Sequence, residues 1–259
     1  MQELKSDLEN PEPSIEAINN LLQHYQNGRY ELAEKLAKDL IDRSPNHPFG
    51  WKVLGVLLKQ SGRISQALVT NQKSVALAPD DPGAHNNLGS TFLALGRLEE
   101  AELSYKKATT LKPDYAEAYS NLGNALQELG KLEDAEVSHR KAIALNPDFI
   151  AAYFNLGAVL QLLNRLEAAE TSYRAAIKLA PDYAKAHNNL GNVLQALGRL
   201  EEAESSYRIA LGWKPDYAEA HSNLGNTLQE LGMLERAEIS YRAAVKFAPD
   251  FAEAYSNLS

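Results

Sequence analysis

The tripeptide Asn-Leu-Gly returns at an interval of 34 residues, and no other feature constrains the fold of this chain as strongly. It stands at Asn87-Leu88-Gly89, Asn121-Leu122-Gly123, Asn155-Leu156-Gly157, Asn189-Leu190-Gly191 and Asn223-Leu224-Gly225, and a sixth copy begins at Asn257-Leu258. A fixed period of this length means that one small helical or stranded unit is copied, each copy burying its apolar face against its neighbours. A length of 259 residues would otherwise point to one or two globular domains. The period replaces that expectation with one elongated stack.

Other landmarks keep the same interval. Proline recurs at Pro45, Pro79, Pro113, Pro147, Pro181, Pro215 and Pro249. A glycine recurs at Gly28, Gly62, Gly96, Gly130, Gly198 and Gly232, with Asn164 in the remaining place. These divide the chain into a flexible leader at 1–13 and a single solenoid at 14–259. Its repeats are 14–47, 48–81, 82–115, 116–149, 150–183, 184–217 and 218–251, with a partial repeat at 252–259. Within 116–149, Tyr119, Leu122, Gly123 and Leu126 share one helical face, and Leu132, Ala135, His139 and Ala142 share another. The spacing predicts two helices per repeat. The glycine ends the first by supplying left-handed backbone, which Asn supplies next best. Proline ends the second. Asp148 is then placed to cap the following helix. Asp114 with Glu117, Asp216 with Glu219 and Asp250 with Glu253 match the spacing of a capping box. The expected fold class is all-α, a solenoid of helix pairs.

Composition narrows the function. Hydrophobic residues make up 44%, enough for a continuous core, and the net charge is -8 with a pI near 5.3. That balance argues against nucleic acid as a partner, because phosphate binding needs clustered Lys and Arg. The absence of Cys excludes disulfides and thiolate metal sites. No stretch approaches the roughly 18 apolar residues of a membrane span, and residues 1–7 are polar with no apolar run, so no signal peptide is expected. A cytoplasmic location is the resulting expectation.

The period, with its small and aromatic residues, resembles the tetratricopeptide repeat family. Repeat 82–115 supplies His85, Leu88-Gly89, Phe92, Ala101, Tyr105, Ala108 and Pro113 to the family's 34-residue pattern, and repeat 150–183 supplies Tyr153, Leu156-Gly157, Leu160, Ala169, Tyr173, Ala176 and Pro181. The resemblance covers residues 14 to 259. It implies a right-handed superhelix whose first helices line a concave groove. Repeat 14–47 departs from the pattern, with Asn20 where Leu is expected, and reads as a cap. In repeat 48–81 Trp51 is the first aromatic, but Asn71 replaces the second. The chain stops eight residues into a new first helix, so the 218–259 end is expected to belong to a longer protein or to self-associate.

On a helical wheel the Asn of the tripeptide falls opposite the buried side, with Glu117, Asn124 and Glu128. Asn is a mediocre helix former, yet this place reads Asn87, Asn121, Asn155, Asn189 and Asn223 in turn. A second row reads Asn124, Asn192 and Asn226, with Ser90 and Ala158 in the gaps. Side-chain amides offer two donors and an acceptor, so a column of them can grip the backbone of an extended peptide. The run from Ala116 to Asn124 is similar to the tetratricopeptide region of O-linked N-acetylglucosamine transferases and their bacterial relatives. That resemblance implies a column holding a polypeptide substrate for a separate catalytic domain, absent here. The expected function is therefore a non-catalytic scaffold for an extended, neutral or basic protein segment, with the eight Asn residues and Phe154 as binding residues. The alternatives are the substrate-recruiting part of such a transferase and an architectural module that assembles end to end. The reading weighed against these is that the Asn column is simply inherited from repeat duplication; it is not the favoured one, because outer positions such as Gly83, Glu117, Ala151, Lys185 and Glu219 vary while the Asn stays fixed.

Other constellations read as structure. The groove-facing cations Lys52 and Lys185 stand far apart, too sparse to clamp carboxylates. His85, His187 and His221 occupy the first-helix aromatic place and His139 the second, so all four read as packing. Neighbouring copies lie about a helix diameter, ~10 Å, apart, too far to share a metal. No metal and no cofactor are expected. The row Ser104, Ser138, Ser172, Ser206 and Ser240 reads as solvated outer surface. Phe49, Val53 and Val56 can line an end-pocket or, as preferred, pack on the first repeat.

Overall fold

The structure, a computed structural model, describes residues 12–249. The chain divides into two compact units, Met1–Gly130 and Lys131–Ser259. Every regular element among the described residues is an α-helix. The first unit holds α1 (Ile15–Gln26), α2 (Tyr30–Arg43), α3 (Pro48–Gln60), α4 (Ile64–Leu77), α5 (Pro82–Ala94), α6 (Leu98–Leu111) and α7 (Ala116–Glu128). The second holds α8 (Leu132–Leu145), α9 (Ile150–Leu162), α10 (Leu166–Leu179), α11 (Ala184–Ala196), α12 (Leu200–Trp213), α13 (Ala218–Glu230) and α14 (Leu234–Phe247). Within each unit consecutive helices pack on one another. In addition α3 touches α5, α5 touches α7, α9 touches α11 and α11 touches α13. Each unit is thus a solenoid of helix pairs, with its first helices side by side. None of the described helices is long and apolar enough to cross a membrane.

The tripeptide's Leu and Gly have clear structural work. Leu88, Leu122, Leu156, Leu190 and Leu224 are all buried. The glycine is the seat of the second helix's Tyr. A Cβ on Gly191 would stand 2.5 Å from the Tyr207 ring, and one on Gly225 2.4 Å from Tyr241. Any side chain there would push the helix pair apart. The buried alanines, such as Ala169, Ala176, Ala203 and Ala210, let the backbones approach in the same way. The loop glycines take φ between 70° and 77°, and Asn164 takes 56°, the left-handed cap expected of both residue types.

Helix starts differ from the expectation. Helices α7, α9 and α13 have Tyr115, Phe149 and Tyr217 at the N-cap, with no side-chain cap bond. Asp114, Asp148 and Asp216 therefore stand one residue too early, and the capping boxes do not form. The turn after each proline closes on backbone instead. Tyr115 N–H donates to Lys112 O at 3.1 Å, and Ala116 N–H to Asp114 O at 3.1 Å. The rule works where Asp occupies the Tyr place: Asp81 Oδ1 accepts from Gly83 N–H at 2.8 Å and Ala84 N–H at 3.3 Å. Ser14 caps α1 likewise.

The serine row also departs from expectation. Ser104, Ser138, Ser172, Ser206 and Ser240 are each only 7% exposed. Ser104, Ser138, Ser172 and Ser240 donate to the carbonyl four residues earlier. A hydroxyl satisfied on its own helix can be buried without water. Phe49 and Val53 of repeat 48–81 pack against the cluster around Leu21, Ala37 and Leu54, as preferred over an end-pocket. The expectations for Asp250 with Glu253, for Asn257, for the partial repeat 252–259 with the self-associating edge it would form, and for most of the leader lie outside the described residues.

Candidate functional site

Within each unit the first helices present their amide rows on one face. Asn87, Asn121 and Asn124 in the first unit, and Asn155, Asn189, Asn192, Asn223 and Asn226 in the second, are half-buried rather than fully solvated. The cause is a row the sequence reading missed. The residue before each ladder Asn reads Asn86, Ser120, Phe154, Asn188 and Ser222, with Lys52 in the corresponding place before Val53, and Asn86 and Asn188 are 3% and 0% exposed. Each of these buried amides receives a ladder Asn from the next repeat. Asn121 Nδ2 donates to Asn86 Oδ1 at 3.0 Å, and Asn223 Nδ2 to Asn188 Oδ1 at 3.1 Å. The buried amides in turn donate to glutamates, Asn86 to Glu117 at 3.4 Å and Asn188 to Glu219 at 3.0 Å. Glu117 and Glu219 are thus inter-repeat acceptors, not caps. The Asn86-Asn87 and Asn188-Asn189 doublets were the available signal.

Where the residue 35 positions back cannot accept, the ladder amide behaves differently. For Asn189 that residue is Phe154, and Asn189 Nδ2 donates to the Tyr173 hydroxyl at 3.3 Å instead. For Asn87 it is Lys52, itself a donor. Lys52 is engaged by Asp81 at 2.7 Å. Burial pushes the Asp81 carboxyl up, but the Lys52 ammonium and two backbone N–H groups outweigh it and hold it below its ordinary value. Phe154 is not a lone aromatic. Its ring centroid lies 5.0 Å from that of Tyr183 and 5.7 Å from that of Tyr173, both tilted.

Behind the second unit's amides stands a row of buried tyrosines. The Tyr207 hydroxyl donates to Asn192 Oδ1 at 2.8 Å, which also accepts from Asn223 Nδ2 at 3.0 Å. The Tyr241 hydroxyl donates to Asn226 Oδ1 at 2.8 Å. Burial raises the Tyr173 hydroxyl to about 12 and pushes Tyr207 up as well. Both stay neutral donors at any physiological pH.

The histidines read as structure, with an added bond. His85, His187 and His221 Nε2 lie 2.8, 2.9 and 2.9 Å from the carbonyl oxygens of Pro79, Pro181 and Pro215. A carbonyl can only accept, so each Nε2 carries the proton. Trp51 Nε1 makes the same bond to Pro45 O at 2.8 Å. His139 is fully buried, neither ring nitrogen has a partner among the described residues, and burial lowers it to about 4. Among the described residues no group of His, Cys, Asp or Glu is arranged to hold a metal ion.

Family models described as tetratricopeptide repeat, or TPR repeat, match residues 22–82, 89–130 with 162–198, 116–149, 140–171 and 182–250. The chain belongs to the tetratricopeptide repeat family. No curated protein matches it. Solved tetratricopeptide structures do. The APC/C hetero-tetramer Cut9-Hcn1 is similar over 98% of this chain and 50% of that one, with a TM-score of 0.77 and 19% identity. At that identity the likeness is one of fold, and this chain spans half the length of that relative. YrrB, a TPR protein with an unusual peptide-binding site, matches at 25% identity and TM-score 0.60, over 72% of this chain and 96% of that one. A thermophilic TPR protein of Thermus thermophilus matches at 27% identity and TM-score 0.57, over 71% and 100%.

Proposed function

We propose that each unit of this interaction scaffold binds an extended polypeptide segment along its first-helix face, with the ladder amides gripping the peptide backbone. The observation that carries this reading is the fixed orientation of Asn121 on Asn86 and of Asn223 on Asn188. An amide has two N–H donors and one acceptor oxygen. Asn121 keeps a second N–H and its oxygen for a partner. Asn223, which donates to both Asn188 and Asn192, keeps its oxygen. Such an oxygen accepts a peptide N–H, a group common to almost every residue, so the grip tolerates varied sequence. Orientation held in advance reduces the ordering cost of binding. The Phe154–Tyr183 pair adds a rigid apolar contact for one peptide side chain. The exposed Glu128 and Glu230 favour a neutral or basic segment over most of its length. The reading is of a binding module without catalysis of its own.

The test uses peptides selected from a random display library on the folded chain. Asn121→Ala and Asn223→Ala are each expected to weaken binding about fivefold, the worth of roughly one neutral hydrogen bond. Affinities unchanged in both variants would sink the proposal.

A further inference from the structure

The first unit carries a cation that the sequence reading did not count among the groove residues. Lys59 lies on α3 in a row that continues as Leu93, Gln127, Gln161, Gln195 and Gln229. It is half-buried, and its Nζ donates to Ser90 Oγ on α5. Two other groove-side charges here have close partners: Lys52 is paired with Asp81, and Glu117 accepts from Asn86, while Glu128 is exposed. Lys59 has no carboxylate within ion-pair distance among the described residues. The nearest acidic influence is Glu117 on α7, acting at longer range. One helical turn before Ser90, on the same face, stands Asn87, whose side-chain amide has no hydrogen-bond partner among the described residues. The Tyr105 hydroxyl lies close enough to Ser90 to feel its dipole.

The substitutions that make this site are local. At the place where the five following repeats put Tyr or His on the second helix, α4 has Asn71, which is 1% exposed. Its Nδ2 donates to Thr91 Oγ1 at 2.9 Å, and its Oδ1 has no partner among the described residues. In the second unit the residue in the Asn71 place is Tyr207, whose hydroxyl lies 3.2 Å from Gln195, the residue in the Lys59 place. Asn71 is too short for that reach. The first unit therefore has a charged, incompletely solvated ammonium where the second has a satisfied neutral amide. An ammonium has three donors, and the structure gives one of them a partner.

We propose that Lys59, Ser90 and Asn87 form an anion subsite that takes a single carboxylate side chain, Asp or Glu, of the polypeptide bound along the first unit. The proposal rests on the groove-binding reading above and makes it asymmetric: the segment is neutral or basic in general, with one acidic residue opposite α3 and α5. Burial pushes the Lys59 ammonium below the ordinary lysine value, a cost that an incoming carboxylate would offset. The Asn87 amide and the Ser90 hydroxyl would bond the same carboxylate, and its charge is what a Gln in the peptide would lack.

The test compares two acetylated, amidated peptides of Gly, Ser and Ala that differ only in one central residue, Glu or Gln. Binding is followed on the intact chain through the Lys59 Cε signal by NMR, assigned with Lys59→Gln. The Glu peptide is expected to bind about tenfold more tightly, in keeping with a charge-assisted hydrogen bond, and to shift the Lys59 signal. Raised salt should reduce that ratio, and Lys59→Gln should abolish it. Lys59→Gln installs the residue found at Gln127, Gln161, Gln195 and Gln229. Ser90→Asn, which installs the residue found at Asn124, Asn192 and Asn226, is a second variant expected to lower the ratio. Equal binding of the two peptides by the wild-type chain overturns the anion subsite and leaves the groove reading standing. If neither peptide perturbs Lys59 or the Asn121 amide at millimolar concentration, both readings fall.

Discussion

The two units share a backbone period and differ in what stands behind their amide rows. In Lys131–Ser259, Tyr173, Tyr207 and Tyr241 rest on Gly157, Gly191 and Gly225 and bond to side-chain amides. In Met1–Gly130, Asn71 occupies that place above Gly55, Tyr105 rests on Gly89, and Lys59 replaces the row's Gln. Two changes, Asn71 for the tyrosine and Lys59 for the glutamine, thus put a cation with no carboxylate partner among the described residues where the second unit has a neutral amide. A repeat keeps its fold through small residues and aromatic seats. Its binding chemistry changes through the few polar positions that those seats leave free.

The contrast is broken most strongly by Tyr207→Ala. The ring is fully buried, so its loss is expected to cost about 3–5 kcal/mol in the second unit. Asn71→Ala removes far less volume and should cost much less in the first. Hydrogen exchange resolved by unit would show the difference, and equal loss of protection in both would contradict it. His139 gives the next largest effect. Its folded value of about 4 lies below the ordinary 6.5, so the unfolded chain takes up a proton that the fold refuses. Its contribution is therefore fully present above about pH 6.5 and lost as pH falls toward 4, on the order of 3 kcal/mol. His139→Phe should remove that part of the acid sensitivity in a set of thermal melts between pH 4 and 7.

Much of this was legible in the sequence. The period, the helix pairs, the left-handed caps and the packing roles of Leu, Gly and Ala follow from spacing and residue size alone. The helix starts did not, because an aromatic at the N-cap and a backbone-closed turn leave Asp one residue outside the helix. The serines did not, because a hydroxyl folded onto its own carbonyl looks polar in sequence and is satisfied when buried. The candidate site was half legible. The exposed-face argument found the ladder, but a wheel treats one helix at a time. The bonds that orient Asn121 and Asn223 run between repeats, 35 residues apart, to amides on the buried side. Lys59 was missed for the same reason, since its ammonium meets Ser90 of the next repeat.

Smaller effects sharpen the comparison. Gly191→Ala places a methyl against the Tyr207 ring and should cost about 1–3 kcal/mol by overpacking. Paired with Tyr207→Ala, the penalty should vanish in a double-mutant cycle of denaturant melts. Asn188→Ala leaves Asn223 without its inner acceptor and Glu219 with only the longer bond from the Tyr217 hydroxyl among the described residues. Its cost should be about 1 kcal/mol, matched by Asn86→Ala in the first unit, with amide NMR signals of Asn223 and Asn121 broadening in turn.

The central claim is that the ladder reads a peptide's backbone rather than its side chains. The most direct measurement takes a display-selected peptide and replaces successive backbone N–H groups with ester oxygens, leaving every side chain unchanged. The account predicts a loss of about fivefold, roughly one hydrogen bond, at the positions seated opposite Asn121 and Asn223, and none where a side chain alone touches the protein. Full affinity at every esterified position would contradict it.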